Sequence, residues 1–122
     1  MDRNAFRLFV DFDGTVTHRD VGNGIFDRFI RRELKEQNWH ENILKEWKAE
    51  RISSRDCLIQ ECANSLATES EMQDELENYN LTPGFIETAE FCRANKIPVM
   101  ILSDGLDYYI EYILAKYGLS FV

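Results

Sequence analysis

Two short apolar runs stand apart from a long stretch of helical spacing. Phe6 to Val10 is apolar except for Arg7, and Ile97 to Leu102 reads "IPVMIL". Short runs without alternation fit strands buried on both faces, as in a parallel sheet, better than strands with one wet side. Between them, from Gly22 to about Tyr79, apolar positions recur at three and four: Ile25, Phe26, Phe29, Ile30 and Leu34, then Ile43, Leu44 and Trp47. That spacing lines one face of a helix and predicts a helical insert. Ser53 stands three residues before Asp56, and Thr68 three before Glu71. Both resemble capping boxes, whose side chains satisfy the free N–H groups of a helix start, so the insert reads as several short helices rather than one rod.

After the insert, "LTPGFIETAEFCRANK" predicts a helix with Thr82 as N-cap and Pro83 at its first position. Following the second run, "GLDYYIEYILAKYG" puts Tyr109, Ile110, Ile113, Leu114 and Tyr117 on one stripe and closes on Gly118 as a C-cap. Strand, helical insert, helix, strand, helix is the order of a parallel α/β protein. The expected fold is α/β: an incomplete doubly wound, Rossmann-like parallel sheet with an inserted α-helical cap. Residues 1–19 and 81–122 would form part of the core domain and 20–80 the cap.

Composition narrows the class. At 122 residues, 44% apolar and 30% charged, the chain has the size and make-up of one soluble globular domain. No apolar stretch approaches the ~18 residues of a membrane span, and "MDRNAFRLFV" lacks the features of a secretory signal, so the expected location is the cytoplasm. Fourteen basic residues against twenty-two acidic ones give a net charge of -8. That balance repels phosphate backbones and anionic lipid and argues against nucleic-acid or membrane partners. Cys57, Cys62 and Cys92 form no CxxC pair and read as reduced, mostly buried thiols, with neither a disulfide framework nor a zinc site. His18 and His40 have no partner at a recognisable spacing and read as surface or loop histidines. Trp39 and Trp47 fall at core spacing and read as packing rather than as a ligand cage.

The chemistry lies where the two apolar runs end. The first ends in Asp11-Phe12-Asp13-Gly14-Thr15 and the second in Ser103-Asp104-Gly105. In an open parallel sheet, ligands sit beyond the carboxyl ends of the strands. Two carboxylates two residues apart at a strand end repel each other and need water or a cation. Each segment holds a glycine for a tight turn, and the second leads into a helix whose N-terminal amides point at the same region. Carboxylates on one wall and a hydroxyl with amide donors on the other would accept a phosphate only with a divalent cation between them. Mg²⁺, which takes hard oxygen ligands, suits this arrangement. One aspartate could then attack phosphorus while the other handles the proton of the leaving oxygen. Asp13-Gly14 also fits a hairpin turn, but "TVTHRDVGNG" supplies no returning strand.

These residues carry a resemblance. "VDFDGTVT" resembles the first motif of the haloacid dehalogenase superfamily of phosphatases, D-x-D-x-T after an apolar strand, and "VMILSDG" resembles its second, an apolar strand ending in serine or threonine. The helical block occupies the position of that superfamily's cap in the phosphoserine phosphatase-like branch. The resemblance implies Asp11 as the nucleophile that becomes an aspartyl phosphate. It implies Asp13 as the acid that protonates the leaving alcohol and later activates water, with Thr15 orienting it. Mg²⁺ would be held by the Asp11 carboxylate and the Asp13 backbone carbonyl, and phosphoryl oxygens by Ser103 with the amides of Asp104 and Gly105. The implied activity is that of a Mg²⁺-dependent phosphomonoesterase acting on a small phosphorylated metabolite.

The chain departs from the family pattern in two ways. The family's lysine and further metal-binding aspartates follow the serine motif, whereas only nineteen residues follow Ser103 here, with Lys116 their sole lysine. The expectation is a truncated form, inactive alone and prone to self-associate through its incomplete sheet. The competing reading is a non-catalytic remnant that serves as a binding or regulatory module. Secondly, in the phosphoserine-specific enzymes an acidic residue soon after the first motif meets the substrate amine, a role Asp20 could fill, and a cap arginine meets the carboxylate. The matching segment "CLIQECANSL" has no arginine, and its bidentate fork has no substitute there. The expected substrate is therefore a phosphorylated alcohol or sugar-like metabolite rather than phosphoserine. Phosphatases of methylthio-ketopentenyl phosphate are one candidate subgroup.

Overall fold

A computed structural model describes residues 6–122, so the first five residues of the expected core segment lie outside it. The elements are β1 (Leu8–Val10), α1 (Val21–Phe29), α2 (Arg32–Lys35), α3 (Trp39–Lys48), α4 (Ser54–Ala63), α5 (Glu69–Leu76), α6 (Phe85–Ala94), β2 (Val99–Ile101) and α7 (Asp107–Lys116). The fold is mixed α/β, with a small parallel sheet and helices inserted between its strands. By contact the described residues divide into two compact units, 6–22 with 74–122, and 23–73.

The first unit holds the sheet. β1 and β2 pair in parallel, with Leu8 opposite Val99, Phe9 opposite Met100 and Val10 opposite Ile101. The strands fall inside the two predicted runs and are shorter than them. Their burial differs from the expectation: Phe9 and Met100, side by side in the register, are 54% and 47% exposed. One face of the sheet is thus open among the described residues. The buried side includes Phe12, Ala89, Tyr109, Ile113 and Leu119, each at or below 1% exposure. Burying each of the larger side chains contributes on the order of 1.5–3 kcal/mol.

Helix ends in this unit follow local chemistry, with one correction. Gly118 takes φ +72 after α7, and Leu119 N–H donates to the Leu114 carbonyl at 2.7 Å, which closes the helix as predicted. α6 does not start at Thr82 and Pro83. Gly84 has φ 89 and ψ -9, and Phe85 N–H donates to the Thr82 carbonyl at 3.1 Å. That is a type II turn with proline and glycine in its two central positions, and the helix begins only at Phe85.

The second unit is helical. Ile25, Phe26, Phe29, Ile30 and Ile43 of the predicted stripes are all buried. Both predicted helix starts form: Asp56 N–H donates to Ser53 Oγ at 3.0 Å, while Glu71 N–H donates to Thr68 Oγ1 at 3.1 Å. Thr68 N–H returns a bond to Glu71 Oε1 at 3.0 Å, so the second is a reciprocal box. Cys57 is buried beside Glu61, which together with burial pushes its thiol up to about 11. His40 corrects the surface reading: it is 6% exposed, with Nδ1 2.6 Å from Asp27 Oδ1 and Nε2 2.6 Å from Glu61 Oε2.

Candidate active site

The candidate residues on both motifs belong to the first unit. Past the strands the ladder continues for one bond, from Leu102 N–H to the Val10 carbonyl at 2.9 Å. Asp11 and Ser103 therefore leave the same end of the sheet, beyond the carboxyl ends of both strands. Asp11 is exposed, and its Oδ1 accepts the Phe12 N–H at 2.8 Å. The chain then makes one wide turn, Phe12–Val16, closed by Thr17 N–H donating to the Phe12 carbonyl at 3.1 Å. Gly14 allows it, with φ +74.

The turn aims Asp13 inward. Its Oδ1 accepts the N–H groups of Val21 at 2.8 Å and Gly22 at 3.2 Å, at the start of α1, and its Oδ2 accepts the hydroxyl of Tyr109 at 2.6 Å. Burial raises the Asp13 carboxyl above the usual carboxylate range; the hydrogen bonds from Tyr109 and the α1 amides oppose the rise, and Asp20 adds to it. The two aspartates of the opening pair thus occupy different environments, one wet and one half-buried. Such a pair can divide nucleophile and proton-carrier roles between its members.

The other positions are placed as follows. Ser103 and Gly105 are half-buried, and the Gly105 N–H donates to Ser103 Oγ at 2.9 Å, so amide and hydroxyl are turned to each other. Asp104, Thr15 and Asp20 are exposed. The threonine that ties the turn is Thr17, fully buried, whose Oγ1 accepts the Gly14 N–H at 3.2 Å and donates to the Arg19 carbonyl at 2.7 Å. Lys116 is paired with Glu77 at 3.1 Å. A groove of about 450 Å³ runs beside β2 and α7, lined by Ser103, Gly105, Ile110, Leu114 and others. Its charged lining is Asp107 and Glu111, which repel phosphate, and neither Asp11 nor Asp13 faces it.

Sequence reasoning missed Thr17 and Tyr109. Thr17 lies inside the quoted motif, but the resemblance singles out Thr15 alone. Tyr109 lies 96 residues from Asp13 and reads only as part of an apolar stripe.

The donor set fits half of a Mg²⁺ shell. Asp11 presents an exposed carboxylate, the kind of hard oxygen that Mg²⁺ takes once or twice while filling its other positions with water and phosphate. Asp13 directs its side-chain oxygens to the α1 amides and to Tyr109, and its backbone carbonyl is the donor the motif would offer a cation. Among the described residues no three His, Cys, Asp or Glu side chains converge as a metal cluster.

An acidic D-x-D-x-T turn after one parallel strand and a serine turn after its neighbour, with helices inserted between, define a Rossmann-like α/β scaffold with both motifs at one end of the sheet. The family model described as haloacid dehalogenase-like hydrolase matches residues 8–122, and the chain belongs to that family. It is similar to a 2-hydroxy-3-keto-5-methylthiopentenyl-1-phosphate phosphatase of Brevibacillus brevis, 31% identical over 93% of this chain and 49% of the relative. A protein of the same name from Lysinibacillus sphaericus is 30% identical over 91% of this chain and 47% of its own length. The polyol phosphate phosphatase PYP1 of Saccharomyces cerevisiae is 28% identical over 89% and 44%. The chain spans about half the length of the curated relatives it matches.

Proposed function

We propose that these residues form the nucleophile half of a Mg²⁺-dependent phosphomonoesterase site that works through an aspartyl phosphate. The observation that carries this is the asymmetry of the pair: Asp11 exposed at the strand end, and Asp13 half-buried with its carboxyl raised and held by three donors. Asp11 would attack phosphorus while the proton on Asp13 passes to the ester oxygen, so the P–O bond breaks and a neutral alcohol leaves. Asp13, now a carboxylate, would then take a proton from the water that hydrolyses the acyl phosphate. Ser103 and the amides of Asp104 and Gly105 would receive phosphoryl oxygens once the Ser103 hydroxyl turns from Gly105. Mg²⁺, when bound at Asp11 and the Asp13 carbonyl, would offset the charge that builds on those oxygens.

The substrate class follows from the relatives' names and from the lack of an arginine in the cap segment 57–66. Both kinds of relative are named for phosphorylated hydroxy compounds, one a keto pentenyl phosphate and the other polyol phosphates. A small phosphorylated alcohol or hydroxyketone without an amino acid head group is the substrate we assign. Residues 20–80 would be the helical cap.

The test is a panel of such phosphates, with phosphoserine included, assayed on the full-length protein with Mg²⁺ and with chelator. Asp11→Asn should abolish turnover, because an amide is a far poorer nucleophile than a carboxylate. Turnover that survives Asp11→Asn or is unchanged in chelator overturns the mechanism, and a preference for phosphoserine overturns the substrate class. Retained ligand binding without any turnover would favour a binding module instead.

A further inference from the structure

Tyr109 is fully packed at 1% exposure, yet its hydroxyl reaches across the unit to Asp13 Oδ2 at 2.6 Å. The space for that hydroxyl is made by two glycines. A Cβ on Gly105 would stand 1.9 Å from the Tyr109 oxygen and 2.9 Å from Asp13 Oδ2, and a Cβ on Gly22 would stand 3.2 Å from the Tyr109 oxygen. Gly105 takes no positive φ, so this position is glycine for room rather than for backbone conformation. The phenol is therefore seated in a fitted cradle against one carboxylate oxygen.

The two oxygens of that carboxylate differ. Oδ1 accepts from two backbone amides, which uses both of its lone-pair directions, whereas among the described residues Oδ2 accepts from Tyr109 alone and keeps one direction open. Resting on the phosphatase reading above, we propose that Tyr109 is a positioning residue that makes Oδ2 of Asp13 the proton-carrying oxygen and holds it toward the leaving group. In the first step the Asp13 Oδ2–H bond breaks, the proton goes to the ester oxygen, the P–O bond breaks, and the Asp11–phosphorus bond forms. The Tyr109 hydroxyl keeps its own proton throughout. Its hydrogen bond becomes charge-assisted as Oδ2 gains charge, so it is stronger after proton transfer than before. The benefit scales with how much the leaving group needs that proton.

The test is Tyr109→Phe in the full-length protein, assayed with an alkyl phosphate and with p-nitrophenyl phosphate, whose leaving group departs without protonation. The variant should lose about ten- to a hundredfold in kcat on the alkyl ester, the worth of one charge-assisted hydrogen bond, and less than about threefold on the aryl ester, with KM little changed. Equal losses on both esters, or none, overturn the assignment. If the wild-type protein hydrolyses neither ester, the phosphatase reading itself fails, and a second measurement still judges the contact. The Tyr109 hydroxyl proton should appear by NMR as a slowly exchanging signal that shifts in Asp13→Asn. Failure to find such a signal, or no shift in Asp13→Asn, overturns the contact, and this arm holds even if Tyr109→Phe does not fold.

Discussion

Replacing His40 with alanine should be among the most damaging single changes in the helical unit. Both ring nitrogens lie against carboxylate oxygens, so the ring satisfies both partners only as an imidazolium donating two hydrogen bonds. The partners are unequal: the Asp27 side chain is 62% exposed, the Glu61 side chain 9%. Without the ring, Asp27 turns to water at little cost. Glu61 keeps only the weak donor Cys57 Sγ at 3.5 Å on Oε1 and loses its partner on Oε2. Stranding one member of a buried pair costs about 3–5 kcal/mol. The lost edge contact with Phe26, at 6.1 Å between ring centres, adds to it. About 3 kcal/mol is the expected penalty near neutral pH, a large share of the ~5–15 kcal/mol that holds a domain folded. The sign of the pH dependence is fixed by His40. Burial lowers its proton affinity, but the bonds to Glu61 and Asp27 outweigh that and raise it overall. Its contribution is therefore fully present below the unfolded value of about 6.5 and is lost as pH climbs through the higher folded value. Urea unfolding of wild type and His40→Ala, followed by circular dichroism from pH 5.5 to 9, should show the gap between them narrowing as pH rises. A penalty under about 1 kcal/mol, or one that widens with pH, would refute the reasoning.

Three further outcomes can be checked. Thr17→Val, which keeps the shape and removes the hydroxyl, should cost about 1–3 kcal/mol in urea unfolding, because the Gly14 amide and the Arg19 carbonyl lose their partner. Gly105→Ala should lower the thermal midpoint by the equivalent of about 1–3 kcal/mol, since the added methyl collides with the Tyr109 phenol; an unchanged midpoint would show that the cradle is slack. The 122-residue chain should hydrolyse p-nitrophenyl phosphate on the order of a thousandfold more slowly than the Brevibacillus brevis relative, of which it spans 49%, because no acidic cluster among the described residues completes a metal site. Its molar mass by light scattering should exceed 14.4 kDa, because the sheet has two strands and leaves Phe9 and Met100 exposed; a monomer turning over at full rate would count against both.

What the sequence disclosed was governed by distance along the chain. The boxes at Ser53 and Thr68 and the cap at Gly118 are written in three or four consecutive residues, and they form as read. The order of strands and helices was legible because each element carries its own period. "TPGF" misled because proline serves a helix start and a type II turn equally well; the glycine after it decided for the turn. Burial of the sheet's second face depends on what lies over Phe9 and Met100, which a strand's own residues do not encode. The same holds for His40, whose partners are 13 and 21 residues away. At the candidate site the motif residues were visible, but their differences were not: which carboxylate is wet, and which threonine is buried, emerge only once the turn is closed.

The fit of Tyr109 against Gly105 also limits how this chain can drift. A side chain at 105 is sterically barred while a full phenol occupies 109, so the two positions cannot vary independently. A lineage that acquired a smaller residue at 109 would gain freedom at 105, and one that filled 105 first would lose the tyrosine. The order in which such changes become accessible is therefore set by one hydroxyl group, and in a deep set of descendants of this chain these two columns should change together.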